Sequence, residues 1–246
     1  MSKNHQSDDL GTRMKRYEST SKNQLLRRTP VIARIDGRAF HTFSKRFPPA
    51  TDAPFSVDMH NCMVYAMRQL AKNVQGCVLG YTQSDEISLL IRDWDTLATQ
   101  PFFDYNVQKM TSLMGSIASN AFNFILRDFG DIEDFSGMAQ FDARVHNIPK
   151  EEVVNYFIWR QQDASRNSVQ MFGHHFFSQK RMHGLKNSEV QDLLMMEKGI
   201  NWNDVPTWMK RGTCVFPPHL VDREIPIFTQ DRSYIQRLLE LSLIHI

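Results

Sequence analysis

The apolar and polar positions of the chain fall into short continuous runs and longer stretches that repeat every three to four residues. Val31-Ile32-Ala33 leads through Arg34-Ile35 into Asp36-Gly37, which predicts a strand that stops at an acid-bearing turn. Phe55, Met59, Cys62, Met63, Ala66 and Leu70 recur at helical spacing until Gly76, with Asp52 as a candidate cap and Pro54 in the first turn. Two further apolar runs, Val78 to Tyr81 and Ile87 to Ile91, flank Gln83 to Glu86 and predict a hairpin whose tip carries acids. A second helix is predicted from about Asn106 to Leu126, with Val107, Met110, Met114, Ile117, Ala121 and Ile125 on one face, followed by a strand around Phe141. Before all of these, residues 1–9 read as loose and the segment from Thr12 to about Leu26 as a short basic helix.

The order strand, helix, hairpin, helix, strand is the split βαβ pattern. It predicts an α+β fold built on a ferredoxin-like, four-stranded antiparallel sheet with both helices on one face. Right-handed crossovers can bring Asp36 and Asp85 to one edge of that sheet, which makes one site of the two acid-bearing turns. Beyond Pro149 the pattern turns helical through Phe172. A shorter amphipathic helix follows at Ser188 to Glu197, then a tryptophan-containing loop and a last strand at Thr213 to Phe216. The expected organisation is a catalytic unit over residues 1–148 and a helical extension over 149–246, with no internal repeat. Phe172, Phe176 and Phe177 of the extension are either its core or an oligomer interface.

Composition narrows the picture only slightly. The chain has 246 residues, 41% hydrophobic and 23% charged, which suits an ordinary globular protein with a sizeable core. A formal charge of +2 means that a nucleic acid would have to be held by local clusters of Lys and Arg. Cys62, Cys77 and Cys214 have no metal or disulfide spacing, the first residues form no secretory signal, and no run spans a bilayer; the expectation is a cytoplasmic protein with no membrane partner.

The candidate chemistry centres on oxygen donors. Asp36, Asp85 and Glu86, with a backbone carbonyl at the glycine turn, can bind Mg²⁺ together with substrate phosphates, as nucleotidyl-transfer sites do. Asp and Gly also form turns for conformational reasons alone, and spacing leaves both readings open. Arg34, Arg38, Lys45 and Arg46 surround the first turn and can hold a triphosphate, while Lys109, Ser112 and Ser116 share a stripe of the second helix that is otherwise a solvated face. Arg160, Arg166, Lys186, Lys210 and Arg211 are interleaved with aromatic residues, which suits RNA backbone and exposed bases as well as plain solvation. The histidines, His174-His175 included, lack metal-ligand spacing, and there is no Walker loop or nucleophile elbow.

The ordered segments "RIDGRAFHTF", "YTQSDEISLL", "KMTSLMGSIAS", "FDAR" and "YFIWRQQDASRN" resemble the tRNA-His guanylyltransferase superfamily, over Leu10 to about Phe216. Within it, "DLGTRMKRYE" and "KGINWNDVPTWMKRGTCV" are similar to the guanylyltransferase-like branch of bacteria, archaea and phages. The resemblance implies a polymerase-palm domain with Asp36 and Asp85 as carboxylates for two Mg²⁺ ions, the Gly37 carbonyl completing the shell and Glu86 beside them. It implies a nucleotide site along Asp36, Gly37, Arg38, Ala39, Phe40 and His41 with Ser84, Asp85, Lys109 and Ser112. Where the family has a lysine after its first motif this chain reads Phe47-Pro48-Pro49-Ala50, with Lys45 as the substitute. It also implies tRNA as partner, a homotetramer, and ATP, GTP and other nucleoside triphosphates as substrates; Arg160, Arg166, Asn167, Lys186, Lys210 and Arg211 are the candidate RNA contacts.

Where the eukaryotic branch carries His-Ile-Asn-Asn, this chain reads Ser165-Arg166-Asn167-Ser168. The activity implied is therefore template-dependent 3′-to-5′ nucleotide addition that repairs tRNA 5′ ends, with guanylate addition at position −1 of tRNA-His as the alternative. A palm-type nucleotide cyclase would need the same acids and the same sheet. An RNA-binding module of the RRM type shares the strand order but requires aromatic residues on the sheet where this chain has carboxylates.

Overall fold

Hydroxyl side chains end the first helix early. In the computed structural model, which describes residues 9–47, 49, 53–96, 98–129, 137–218 and 220–240, α1 is Leu10–Ser19 and does not run on to Leu26. Ser19, Thr20 and Ser21 return their hydroxyls to the carbonyls of Arg16, Tyr17 and Glu18, a local alternative to the next helical turn.

The chain continues with β1 (Val31–Gly37), α2 (Phe40–Phe43), α3 (Val57–Asn73), β2 (Cys77–Gln83), β3 (Glu86–Ile91), α4 (Val107–Leu126) and β4 (Phe141–Asn147). The second half supplies α5 (Val153–Phe176), α6 (Gln179–Met182), α7 (Asn187–Lys198), α8 (Thr207–Arg211), β5 (Thr213–Phe216), β6 (Leu220–Asp222) and α9 (Ser233–Gln236). The cap of α3 is Ser56, whose hydroxyl accepts the Met59 amide, and Pro54 precedes the helix; Asp52 lies outside the described residues. Asn106 caps α4 by accepting the Lys109 amide at 3.0 Å.

The antiparallel sheet has the order β4-β1-β3-β2-β5-β6. Its first four strands reproduce the ferredoxin-like arrangement. The expected four-stranded sheet becomes six-stranded because the strand expected at Thr213 to Phe216, β5, pairs with β2, Cys214 opposite Tyr81, and carries β6 with it. The segment after Pro149 thus completes the sheet as well as packing on it.

Alternation along the strands divides the core in two. Val31, Ala33 and Ile35 of β1 and Ile87, Leu89 and Ile91 of β3 face α3 and α4, where Met63, Met67, Leu70, Met110, Met114 and Phe122 are buried. Ile32 and Leu90 face the other way, against Val153, Val154 and Phe157 of α5 and Ile235 and Leu238 near the end of the chain. A third cluster joins Val169 and Phe172 of α5 to Met182, Val190 and Leu194, with Phe176 and Phe177 packed on its edge, so these phenylalanines serve this chain's own core. On the α5 side the sheet is apolar at one end only: Arg34, Asp36, Glu86 and Ser88 continue that face beyond Ile32 and Leu90.

Candidate active site

Both acid-bearing turns lie at this polar end of the sheet. The Gly37 amide donates to the Asp85 carbonyl at 3.1 Å, and the Arg38 amide donates to the Gln140 carbonyl at 2.8 Å, so the turn after β1 is tied to the β2–β3 hairpin on one side and to the approach to β4 on the other. Gly37 has no substitute here: a Cβ on it would meet the Phe40 ring at 2.3 Å. Ala39 (φ 57°) and Ser84 (φ 51°) adopt left-handed backbone at these turns, a strain that non-glycine residues seldom hold outside functional sites.

Electrostatics couples the two carboxylates. Burial raises the Asp85 carboxyl above the usual carboxylate range and the charge of Asp36 adds to the rise, while the Asp85 backbone and the Ser84 hydroxyl oppose it. In the sheet register Asp36 stands between Glu86 on β3 and Asp142 on β4. Among the described residues no three His, Cys, Asp or Glu side chains form a ready metal cage. Two mutually repelling carboxylates beside a glycine carbonyl nonetheless fit Mg²⁺, which binds through one or two carboxylates and takes its remaining ligands from phosphate and water.

Glu86, expected to act beside the aspartates, is otherwise engaged. It is buried; its Oε1 accepts Arg160 Nε at 2.8 Å and its Oε2 accepts Arg160 Nη2 at 3.0 Å. Ser88 Oγ lies 3.4 Å from Oε1, and Arg34 Nε forms an ion pair with Oε2 at 3.0 Å. Burial raises its carboxyl against the pull of Arg160 and Arg34. Neither oxygen is left for substrate, because each already has guanidinium partners.

A cleft of about 700 Å³ opens from Asp85 and separates the region of α2 and α3 from α5 and α8. Its walls include Lys45, Ser84, Asn167, His60 and Trp208. Sequence reasoning missed the last two. The His60 ring stacks on Trp208 with centroids 4.1 Å apart, and its Nε2 lies 3.2 Å from Thr213 Oγ1. Burial, aided by the charge of Arg223, lowers the pKa of His60 to about 3. Gly212 permits this closure: its φ is +83°, and a Cβ there would meet the Thr82 carbonyl at 2.4 Å. No signal in the sequence joined His60 to Trp208.

The remaining expected contacts divide. Arg38, Ala39, His41 and Lys45 line the first turn with their side chains at least partly exposed, and Arg38 Nη1 donates to Gln140 Oε1 at 2.6 Å. Phe40 is buried with its ring against Phe43, Phe122 and Phe141, so only its backbone is available to a nucleotide. Ser112 lines a separate shallow depression of about 470 Å³ with Ser116, Gln140 and Asp142, while Lys109 is exposed and lies over Phe103, lining neither hollow.

Arg166, Asn167 and Lys186 are accessible, as an RNA contact requires. Arg160 and Lys210 are not: Arg160 is 4% exposed and bound to Glu86, and Lys210 is 8% exposed with its Nζ on the Asn203 carbonyl. Burial also lowers the Lys210 pKa. Arg211 is half-buried.

Comparison with known proteins places this geometry. Residues 11–149 match the family model described as tRNAHis guanylyltransferase. A bacterial tRNA(His) guanylyltransferase-like protein solved in complex with ATP is 44% identical and superimposes with a TM-score of 0.88 over 95% of this chain and 100% of its own. A second such bacterial structure, in complex with GTP, is 38% identical with a TM-score of 0.78 over the same shares. The tRNA(His) guanylyltransferase of Saccharomyces cerevisiae is 26% identical over 202 residues, 75% of this chain and 81% of that protein. No helix among the described residues is long and apolar enough to cross a membrane.

Proposed function

This chain belongs to the tRNA(His) guanylyltransferase family and is a nucleotidyltransferase, and on that premise we propose that it adds nucleotides in the 3′-to-5′ direction to the 5′ end of tRNA, following the opposite strand as template. The observation that carries the proposal is the main-chain link between Gly37 and Asp85, which ties the turn after Asp36 to the hairpin tip whose Asp85 lines the cleft. Bacterial relatives solved in complex with ATP and with GTP support nucleotide binding by this chain.

Asp36, Asp85 and the Gly37 carbonyl would hold two Mg²⁺ ions, which when bound polarise the attacking and leaving oxygens of phosphoryl transfer. This chain's own residues bind and orient. Lys45, on the cleft wall, offsets phosphate charge, and Arg38, held by Gln140, stands beside the first turn. Arg166, Asn167 and Lys186 offer the exposed polar surface for the tRNA backbone.

The 5′ end is first activated, either as an adenylylated monophosphate, made when the 5′ phosphate attacks the α phosphorus of ATP and pyrophosphate leaves, or as an existing triphosphate. The 3′-hydroxyl of the incoming nucleotide then bonds to the 5′ phosphorus, AMP or pyrophosphate leaves, and the hydroxyl proton passes to solvent. No protein base is required. A homotetramer whose subunits share one tRNA belongs to the same proposal; light scattering on the purified chain tests it.

Guanylate addition at position −1 of tRNA-His is the second reading, favoured by the description of the matching family. Extension of a tRNA truncated at its 5′ end, with each nucleotide offered in turn, separates the two. Incorporation that follows the opposite base supports repair, whereas guanylate added only to intact tRNA-His would sink it.

A further inference from the structure

Beside its tip, the hairpin that carries Asp85 is gripped from outside the sheet by the guanidinium of Arg160. Arg160 leaves the first half of α5, donates Nε and Nη2 to the two oxygens of Glu86 at 2.8 and 3.0 Å, and reaches Asp163 Oδ2 with Nη2 at 3.1 Å. Glu86 is both the residue after Asp85 and the cross-strand neighbour of Asp36. Whatever fixes Glu86 therefore fixes the strand ends from which both aspartates depart.

Stability alone is a poor account of this arrangement. Buried ion pairs are often no better for stability than apolar residues of the same volume, because desolvation offsets the attraction. The location is more informative. The like charges of Asp36 and Asp85 act to part the two turns, and the Arg160 fork on Glu86 opposes them from the second half of the chain, alongside the pairing of Thr82 with Thr213 on β5.

We propose that Arg160 is a positioning residue of the nucleotidyl-transfer site: its two-point grip on Glu86 holds the hairpin tip so that Asp85 faces Asp36, ready for the divalent cations. The proposal rests on the reading above that the two aspartates hold those cations. The same grip extends to the protein surface. Asp163, which shares Arg160, also accepts Arg166 Nη2 at 3.0 Å, and Arg166 is followed by Asn167 on the cleft wall.

A lysine retains the charge and the stem but cannot form the planar two-point bond, so Arg160→Lys separates positioning from mere charge balance. The readouts are thermal melting, Mn²⁺ binding followed by electron paramagnetic resonance in the presence of GTP, and steady-state nucleotide addition to a truncated tRNA. Arg160→Lys is expected to melt close to the parent, yet to bind Mn²⁺ and turn over roughly 10- to 100-fold less well, the loss typical of groups that orient metal ligands, with KM for tRNA unchanged. Parent-like Mn²⁺ affinity and kcat in Arg160→Lys would overturn the proposal, as would a loss confined to KM for tRNA. Asp85→Ala is the reference. A parent that binds Mn²⁺ no better than Asp85→Ala would remove the metal reading itself and this proposal with it, a result distinct from Arg160→Lys matching a parent that does bind.

Discussion

Gly37 and Asp85 are joined main chain to main chain, amide to carbonyl at 3.1 Å, so two turns far apart in the sequence form one structural unit. The bond leaves both side chains of the acid pair free to face a substrate. It also holds them close enough for the charge of Asp36 to raise the Asp85 carboxyl.

That closeness has a cost in the absence of metal. A carboxyl raised by burial and a like charge favours the protonated form in the fold, so its ionised form near pH 7 works against folding. Asp36→Asn and Asp85→Asn, melted without divalent cations, are expected at or above the parent Tm. Mn²⁺ or Mg²⁺ should then stabilise the parent and not the variants. A clear fall in the Tm of both metal-free variants would contradict the account of repulsion.

His60 gives a test in the acid range. Its pKa is about 3 in the fold against an ordinary value of 6.5, so below that value the unfolded chain takes up a proton that the native chain does not. Stability contributed by neutral His60 is complete above pH 6.5 and is lost as pH falls from there towards 3, by up to about 1.4 kcal/mol per pH unit. Urea titrations of the parent and His60→Gln between pH 7 and 5 measure the difference. The variant should show the shallower pH dependence, and parallel curves would refute the neutral ring.

The basic residues divide by exposure, and salt dependence reads the division. Arg166→Ala, at an exposed position, should weaken tRNA binding and reduce the slope of log K against log salt by about 1. Lys210→Met should leave the slope unchanged, since its ammonium already sits on the Asn203 carbonyl. Equal slope changes in the two variants would show that Lys210 reaches RNA after all.

Phe40 lies within a candidate nucleotide segment, yet its ring is core. Packed on Phe43, Phe122 and Phe141, it should cost about 3–5 kcal/mol on change to alanine, seen as a lower urea midpoint. Phe40→Leu should keep most of the stability and the nucleotide affinity. Loss of GTP binding in a well-folded Phe40→Leu would return the ring to the ligand.

The sequence made the catalytic frame legible for physical reasons. Val31 to Asp36 and the hairpin around Ser84-Asp85 are short apolar runs cut by turn residues, and the α3 and α4 faces repeat at helical spacing; such local signals survive folding unchanged. What it concealed was set by contacts across the chain. Arg160 reads as a cation for RNA or solvent until α5 is laid on the sheet against Glu86, and Lys210 likewise until Asn203 folds back to it. The strand at Thr213 to Phe216 is legible, but its pairing with β2, Cys214 opposite Tyr81, and the added β6 are not, nor is the His60–Trp208 stack beside Gly212. Composition carries none of that.

The most direct test of the central claim is 5′-end extension of a labelled tRNA lacking its first nucleotide, with Mg²⁺, ATP and all four nucleotides, in the parent, Asp36→Ala and Asp85→Ala. The account expects template-matched extension by the parent and a loss of about 10³-fold or more in each variant, the several kcal/mol that metal-held oxygens contribute to phosphoryl transfer. No extension by the parent, or extension untouched by either substitution, would contradict it and separate the two acid turns that the fold brings together.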